Sequence, residues 1–166
     1  MMLLLFQLDR NLYAIDTAEV VEIVPMMLLA KVPAAPDHIA GVFNYRGNIV
    51  PIVDLCQLIQ GTPCQTCYST RVVIVNYTAS SPVEFDRNLA SQQLGLMAER
   101  VTETLKVDSS HVSGAKQIST VPYLGNLFVD EKGMIQQVHW QHFISEAHQA
   151  ILFARSKDRA NDAERN

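Results

Sequence analysis

The side chains best suited to chemistry are three cysteines, Cys56, Cys64 and Cys67, and five histidines. Cys64-Gln65-Thr66-Cys67 is a Cys-x-x-Cys, a spacing used in thiol–disulfide exchange and in zinc binding. A closed zinc site wants four ligands, usually supplied by two such pairs, and the chain has one pair, with Cys56 upstream. A thioredoxin-like motif needs a strand before it and a helix after it. This one follows Gly61-Thr62-Pro63 in a polar stretch. An odd, low cysteine count does not point to a disulfide framework. His139 and His142 flank Trp140 and read as surface rather than as ligands. Asp16, Glu22 and Asp54 show no paired-carboxylate spacing, and no glycine-rich phosphate loop opens a helix. The residues specify no catalytic centre, no metal site and no cofactor.

A different kind of chemistry is concentrated at one turn, Asn44-Tyr45-Arg46-Gly47-Asn48. A guanidinium held at a tight turn forks onto a carboxylate more specifically than a lysine does. That carboxylate is either internal, with Asp54 and Glu22 as candidates, or on a partner. Glu22 is a lone charge in an apolar run, which under strand alternation is a solvent-facing position. Gly41 inside a strand marks a bulge or a close backbone approach. Phe43 and Tyr45 are contact anchors or half-buried core cover.

The elements that must hold this turn are strands. Residues 3–8 and 12–15 form a hairpin around Asp9-Arg10-Asn11. Residues 18–24 are β-branched and stop at Pro25, and residues 26–32 are a further apolar segment. Two strands flank the Arg46 turn. Pro51 cannot donate to a ladder, so its strand is expected at an edge or with a bulge. A short helical turn is expected at residues 55–59, then a polar loop over 62–69. Residues 71–77 are a strong strand, and 78–93 a polar excursion. Strands follow at 94–98, within 101–107, at 124–130 and at 134–140, with a loop over 109–120. Helical spacing of Phe143, Ile144, Ala147 and Ile151 predicts a short C-terminal helix to about Ala154, followed by a polar tail. Nine or ten short strands with little helix make an all-β chain of one or two small barrels.

Composition agrees. The chain has 166 residues, 48% hydrophobic, enough for one domain with a real core. The net charge of −4, scattered basic residues and 7% aromatic content do not fit a nucleic-acid groove. The apolar start lacks the basic region of a signal peptide, and no run approaches a membrane span. A cytoplasmic location is expected.

Residues 39–55 resemble the signature of CheW-like domains. Gly41-Val42, Asn44-Tyr45-Arg46-Gly47, Ile49-Val50-Pro51 and Ile52-Val53-Asp54-Leu55 follow the family's order. Phe6-x-Leu8, Tyr13-Ala14-Ile15, Val20 to Val24 and Val32-Pro33-x-Ala35-Pro36 resemble its flanks. The resemblance implies two interlocked five-stranded SH3-like β-barrels over residues 1–145, with 146–166 as helix end and tail. It implies a non-enzymatic adaptor that couples methyl-accepting chemoreceptor tips to the regulatory domain of a CheA-type histidine kinase, assembled in arrays. Val20, Glu22, Gly41 and Arg46 match positions implicated in partner binding, and Asn44 and Gly47 complete the motif. One face around Val20, Glu22 and Gly41 is then expected to meet the kinase, and a groove near Arg46 the receptor. Tyr45, Ser69-Thr70-Arg71 and the 123–133 stretch resemble a Wsp-type surface-sensing branch. His139 departs from the acidic residue usual in the family's last strand. The alternative function is a thiol- or metal-binding small β-barrel using Cys64 and Cys67.

Overall fold

A computed structural model describes residues 1–77, 92–108, 121 and 123–143. The chain begins with the hairpin of β1 (Met2–Leu8) and β2 (Asn11–Asp16), antiparallel with Phe6 opposite Tyr13. A single 3-10 turn, capped by Asp16, leads into β3 (Val20–Pro25). The hairpin of β4 (Ile39–Tyr45) and β5 (Asn48–Asp54) carries the Arg46 turn. Helix α1 (Leu55–Gln60) begins at once, with the Asp54 carboxylate accepting from Gln57 N, and closes at Gly61. Then come β6 (Arg71–Tyr77), β7 (Gln92–Ala98), β8 (Glu103–Lys106), β9 (Leu124–Asp130) and β10 (Gly133–Val138).

These ten strands form two five-stranded sheets, ordered β8-β1-β2-β10-β9 and β3-β6-β7-β5-β4. The second sheet is built entirely from chain lying between β2 and β8 of the first. The two lobes are interlocked in this sense: the first is split in sequence, and the whole of the second is inserted between its two parts.

The long apolar runs follow from burial on both strand faces, which removes the need for alternation. In β6, Val72 and Ile74 point into a core belonging to the second sheet, while Val73 and Val75 point into a core shared by both. In β1, Leu3 and Leu5 fill the first sheet's own core, while Leu4, Phe6 and Leu8 join the shared one. Each such side chain contributes about 1.5–3 kcal/mol when fully buried.

Several expectations need correction. The apolar segment of residues 26–32 forms no strand: it hydrogen-bonds to a sheet only through a bridge from Ala30 to Val42, while Met26, Met27 and Leu29 pack on the second sheet's core. Pro51 lies in an interior strand, since β5 pairs with both β4 and β7, and the β4–β5 ladder carries a register shift between Ile39 and Gly41, opposite Val53 and Ile52, next to the proline rather than at it. The parallel ladder to β7 begins at Ile52, after the proline, so no bond to β7 is lost there. Gln92 and Gln93 belong to β7 rather than to the preceding excursion. The last strand stops at Val138, and Trp140 opens a 3-10 turn (Trp140–Phe143). Its indole N–H donates to Glu19, 2.6 Å away, which ties this turn to the start of β3. The rest of the excursion, the 109–120 loop, the predicted C-terminal helix beyond residue 143 and the tail lie outside the described residues.

Candidate partner interface

The Arg46 turn is built by its own sequence. Arg46 takes φ 50° and Gly47 φ 86°, a left-handed pair that a two-residue hairpin requires. Asn44 Oδ1 accepts from Gly47 N at 2.8 Å and locks the loop. The constraint leaves the Arg46 side chain 73% exposed, with its guanidinium 3.2 Å from Glu22 Oε2 and 5.2 Å from the Tyr45 ring centroid. Tyr45, itself buried, donates its hydroxyl to the same Glu22 oxygen. That hydrogen bond to Glu22, reinforced by burial, raises the phenol above its ordinary pKa. Glu22, 39% exposed, is therefore held from two sides by one hairpin.

Of the two internal partners considered for Arg46, the structure selects Glu22. Asp54 is turned inward, 4% exposed, and serves the backbone at Gln57 and Cys64. Burial raises its pKa, partly offset by those backbone donors. An ion pair as open as Arg46–Glu22 contributes under about 1 kcal/mol. It orients the guanidinium without using up its capacity for a second carboxylate.

Glu22 and Arg46, expected on separate faces, are in contact. Asn44 and Gly47 are exposed beside Arg46. Val20 is half-buried against the shared core. Gly41 is buried, with φ 152°, and a Cβ there would lie 2.6 Å from the Ala30 carbonyl oxygen. The crossing segment of residues 29–30 covers it, so its place is beneath the surface.

Sequence reasoning missed the apolar residues at the patch. β3 is an edge strand, and it exposes Val21 by 43% and Ile23 by 42%. Ile49, opposite Asn44 in the hairpin, is exposed as well. An edge strand with open backbone groups and exposed apolar side chains is a surface prepared for pairing. The register shift between Val20 and Glu22 explains the miss: a bulge breaks the strict alternation from which facing is read.

The cysteines do not pair as a Cys-x-x-Cys. Cys64 is bonded to Cys56, and Cys67 is free and exposed. Hydrogen bonds from Ser69 and Thr70 lower the Cys67 pKa to about 7.

With this geometry in hand, comparison with known proteins is decisive. The family model described as CheW-like domain matches residues 2–148. The chain belongs to the CheW-like domain family. The chemotaxis protein CheW of Treponema pallidum is 28% identical over 123 residues, which is 71% of this chain and 65% of that protein. CheV3 of Helicobacter pylori is 38% identical over 66 residues, 40% of this chain and 21% of that protein. The chain thus spans less than two thirds of the length of these two relatives. Among solved structures, the scaffolding protein TtCheW of Thermoanaerobacter tengcongensis superposes with TM-score 0.67 at 23% identity, covering 83% of each chain. The CheW-like fold of two five-stranded SH3-like units is therefore the fold of this chain.

Proposed function

We propose that this chain is a non-enzymatic adaptor that couples methyl-accepting chemoreceptor tips to the regulatory domain of a CheA-type histidine kinase in bacterial chemosensory signalling. The observation that supports it most is the family match over nearly the whole described chain. The chemotaxis names of the relatives and the scaffolding role printed for the structural neighbour point the same way. These relatives support the family, not the surface-sensing branch. No helix among the described residues is long and apolar enough to cross a membrane, and the reading places the protein in the cytoplasm.

The docking patch comprises Glu22, Asn44, Arg46 and Gly47, with Val21, Ile23 and Ile49 supplying apolar contact. Val20 and Gly41 act from below: Val20 packs on the shared core, and Gly41 lets the 29–30 segment lie flat. Buried arginine contacts ringed by apolar side chains are where interface energy concentrates. The adaptor shifts the kinase equilibrium by binding its two states unequally, with no bond made or broken. Weak single contacts gain strength through repetition in an array.

The test is a pull-down of the full chain with the kinase regulatory domain and receptor fragments from the same genome, beside Arg46→Glu. Capture by the wild type and loss in a variant with an unchanged circular dichroism spectrum is the expected result. No capture of any such partner by the wild type would defeat the reading.

A further inference from the structure

The chain passes from the first sheet to the second through the 3-10 turn Thr17–Glu19, which leads straight into β3. No residue of this turn is buried. β3 itself is held by β6 on one side only, and its ladder jumps from Val20–Val75 to Glu22–Ile74, so Val21 has no residue opposite it. A bulge on an edge strand leaves the aim of nearby side chains to whatever fixes the end of the strand. Among the described residues, side chains tether the turn at three points. The Asp16 carboxylate accepts from Ala18 N at 3.0 Å, and the Thr17 hydroxyl donates to the Met2 carbonyl at 3.1 Å; both bonds are exposed. The third point is the Glu19 carboxylate. It accepts the Trp140 indole N–H on one oxygen, at 2.6 Å, and the Gln141 side-chain amide on the other.

Only this third tether reaches a side chain deep in the shared core, since Trp140 is 2% exposed there. A hydrogen bond to an ionised acceptor is also about twice as strong as a neutral one. The turn that carries Trp140 is seated in its own right. His139 N donates to the Tyr123 carbonyl at 2.8 Å, and the His139 ring fills the space that a Cβ at Gly125 would need. The end of the first sheet therefore grips the root of the second sheet's edge strand. We propose that Trp140 and Glu19 are positioning residues of the adaptor: the Trp140–Phe143 turn fixes the root of β3 and so sets the place of Val21, Glu22 and Ile23 against the docking partner. The proposal rests on the adaptor reading of that patch. Arg46 and Tyr45 hold Glu22 by its side chain, and the latch holds the backbone just before it. A strand fixed in advance costs less ordering when a partner binds. By linkage, a partner seated on β3 tightens the latch in return.

The test is amide hydrogen exchange on the full chain, followed by titration with the kinase regulatory domain and with receptor fragments. Trp140→Phe keeps an aromatic ring in the core and removes the N–H. Glu19→Ala removes the acceptor, whereas Glu19→Gln keeps one oxygen able to accept. In Trp140→Phe and Glu19→Ala, the amides of residues 19–24 should exchange at least about tenfold faster, with β5 and β7 at wild-type rates. Affinity for at least one partner should fall about fivefold or more, and Glu19→Gln should recover most of both losses. Faster exchange in every strand of the shared core would make Trp140 a packing residue and overturn the proposal. Unchanged exchange at β3 overturns it too, as does faster exchange at β3 with unchanged affinity. A wild type that binds neither partner defeats the adaptor reading and the docking role with it, while exchange in the free chain still decides whether the latch holds β3.

Discussion

At the residue scale, the Arg46–Glu22–Tyr45 cluster joins a weak internal bond to an open charge. We predict that Arg46→Glu changes unfolding free energy by no more than about 1 kcal/mol, because the pair is largely solvated. The same change should weaken partner binding about tenfold or more. Urea denaturation beside calorimetric titration separates the two effects, and a melted variant would make Arg46 a brace. Gly41 behaves in the opposite way. Gly41→Ala drives a methyl into the Ala30 carbonyl from a backbone conformation that favours glycine. A loss of at least about 2 kcal/mol is expected from the denaturation midpoint. Cys67 gives a pH prediction. A thiol reacts as its thiolate, which accumulates as pH rises through the pKa. Its alkylation rate should therefore reach half its plateau near pH 7, where its pKa has been lowered. A pH–rate profile by mass spectrometry checks this, and Thr70→Ala should move the midpoint upward.

At the scale of elements, the Cys56–Cys64 bond closes a short loop around α1. Its reduction should cost about 2–3 kcal/mol by loop entropy, measurable as a drop in Tm. Much of this level was legible in the sequence. The β1–β2 and β4–β5 hairpins and α1 follow from their turn residues and caps, Asp9-Arg10-Asn11, Asn44 to Asn48, and Asp54 with Gly61. Of the two expectations for Pro51, the edge fails because the β7 ladder starts one residue later, and a register shift does occur beside it, in β4 opposite Ile52 and Val53. Residues 26–32 stayed open in the sequence because apolar content does not distinguish a strand from a crossing segment: Met26, Met27 and Leu29 pack on a sheet without joining it. The disulfide was illegible because Cys56 and Cys64 meet only through the α1 turn. The signature turn placed Asn44, Arg46 and Gly47 at the surface. Its pairing with Glu22 and the exposure of Val21 and Ile23 depend on the β3 bulge, which no spacing reveals.

At the scale of the whole molecule, one core is common to both sheets, and the second sheet is inserted in sequence between β2 and β8 of the first. A lobe cannot leave without breaking the shared core, so the two should unfold together. We predict a single calorimetric transition whose van't Hoff and calorimetric enthalpies agree. Phe6→Ala, at the centre of the shared core, should lower stability by about 3–5 kcal/mol without splitting that transition. Two resolved transitions would show the lobes to be independent. A rigid pair of lobes suits an adaptor, because partners bound to different parts of it are then held in fixed relation.

The most direct test of that role is a reconstituted phosphorylation assay with the cognate kinase, receptor fragments in an ordered array, and this chain added last. The account predicts that receptor control of kinase activity appears only when the chain is present, and that Arg46→Glu reduces it in proportion to lost binding. Receptor control that is equally strong without the chain would contradict the account.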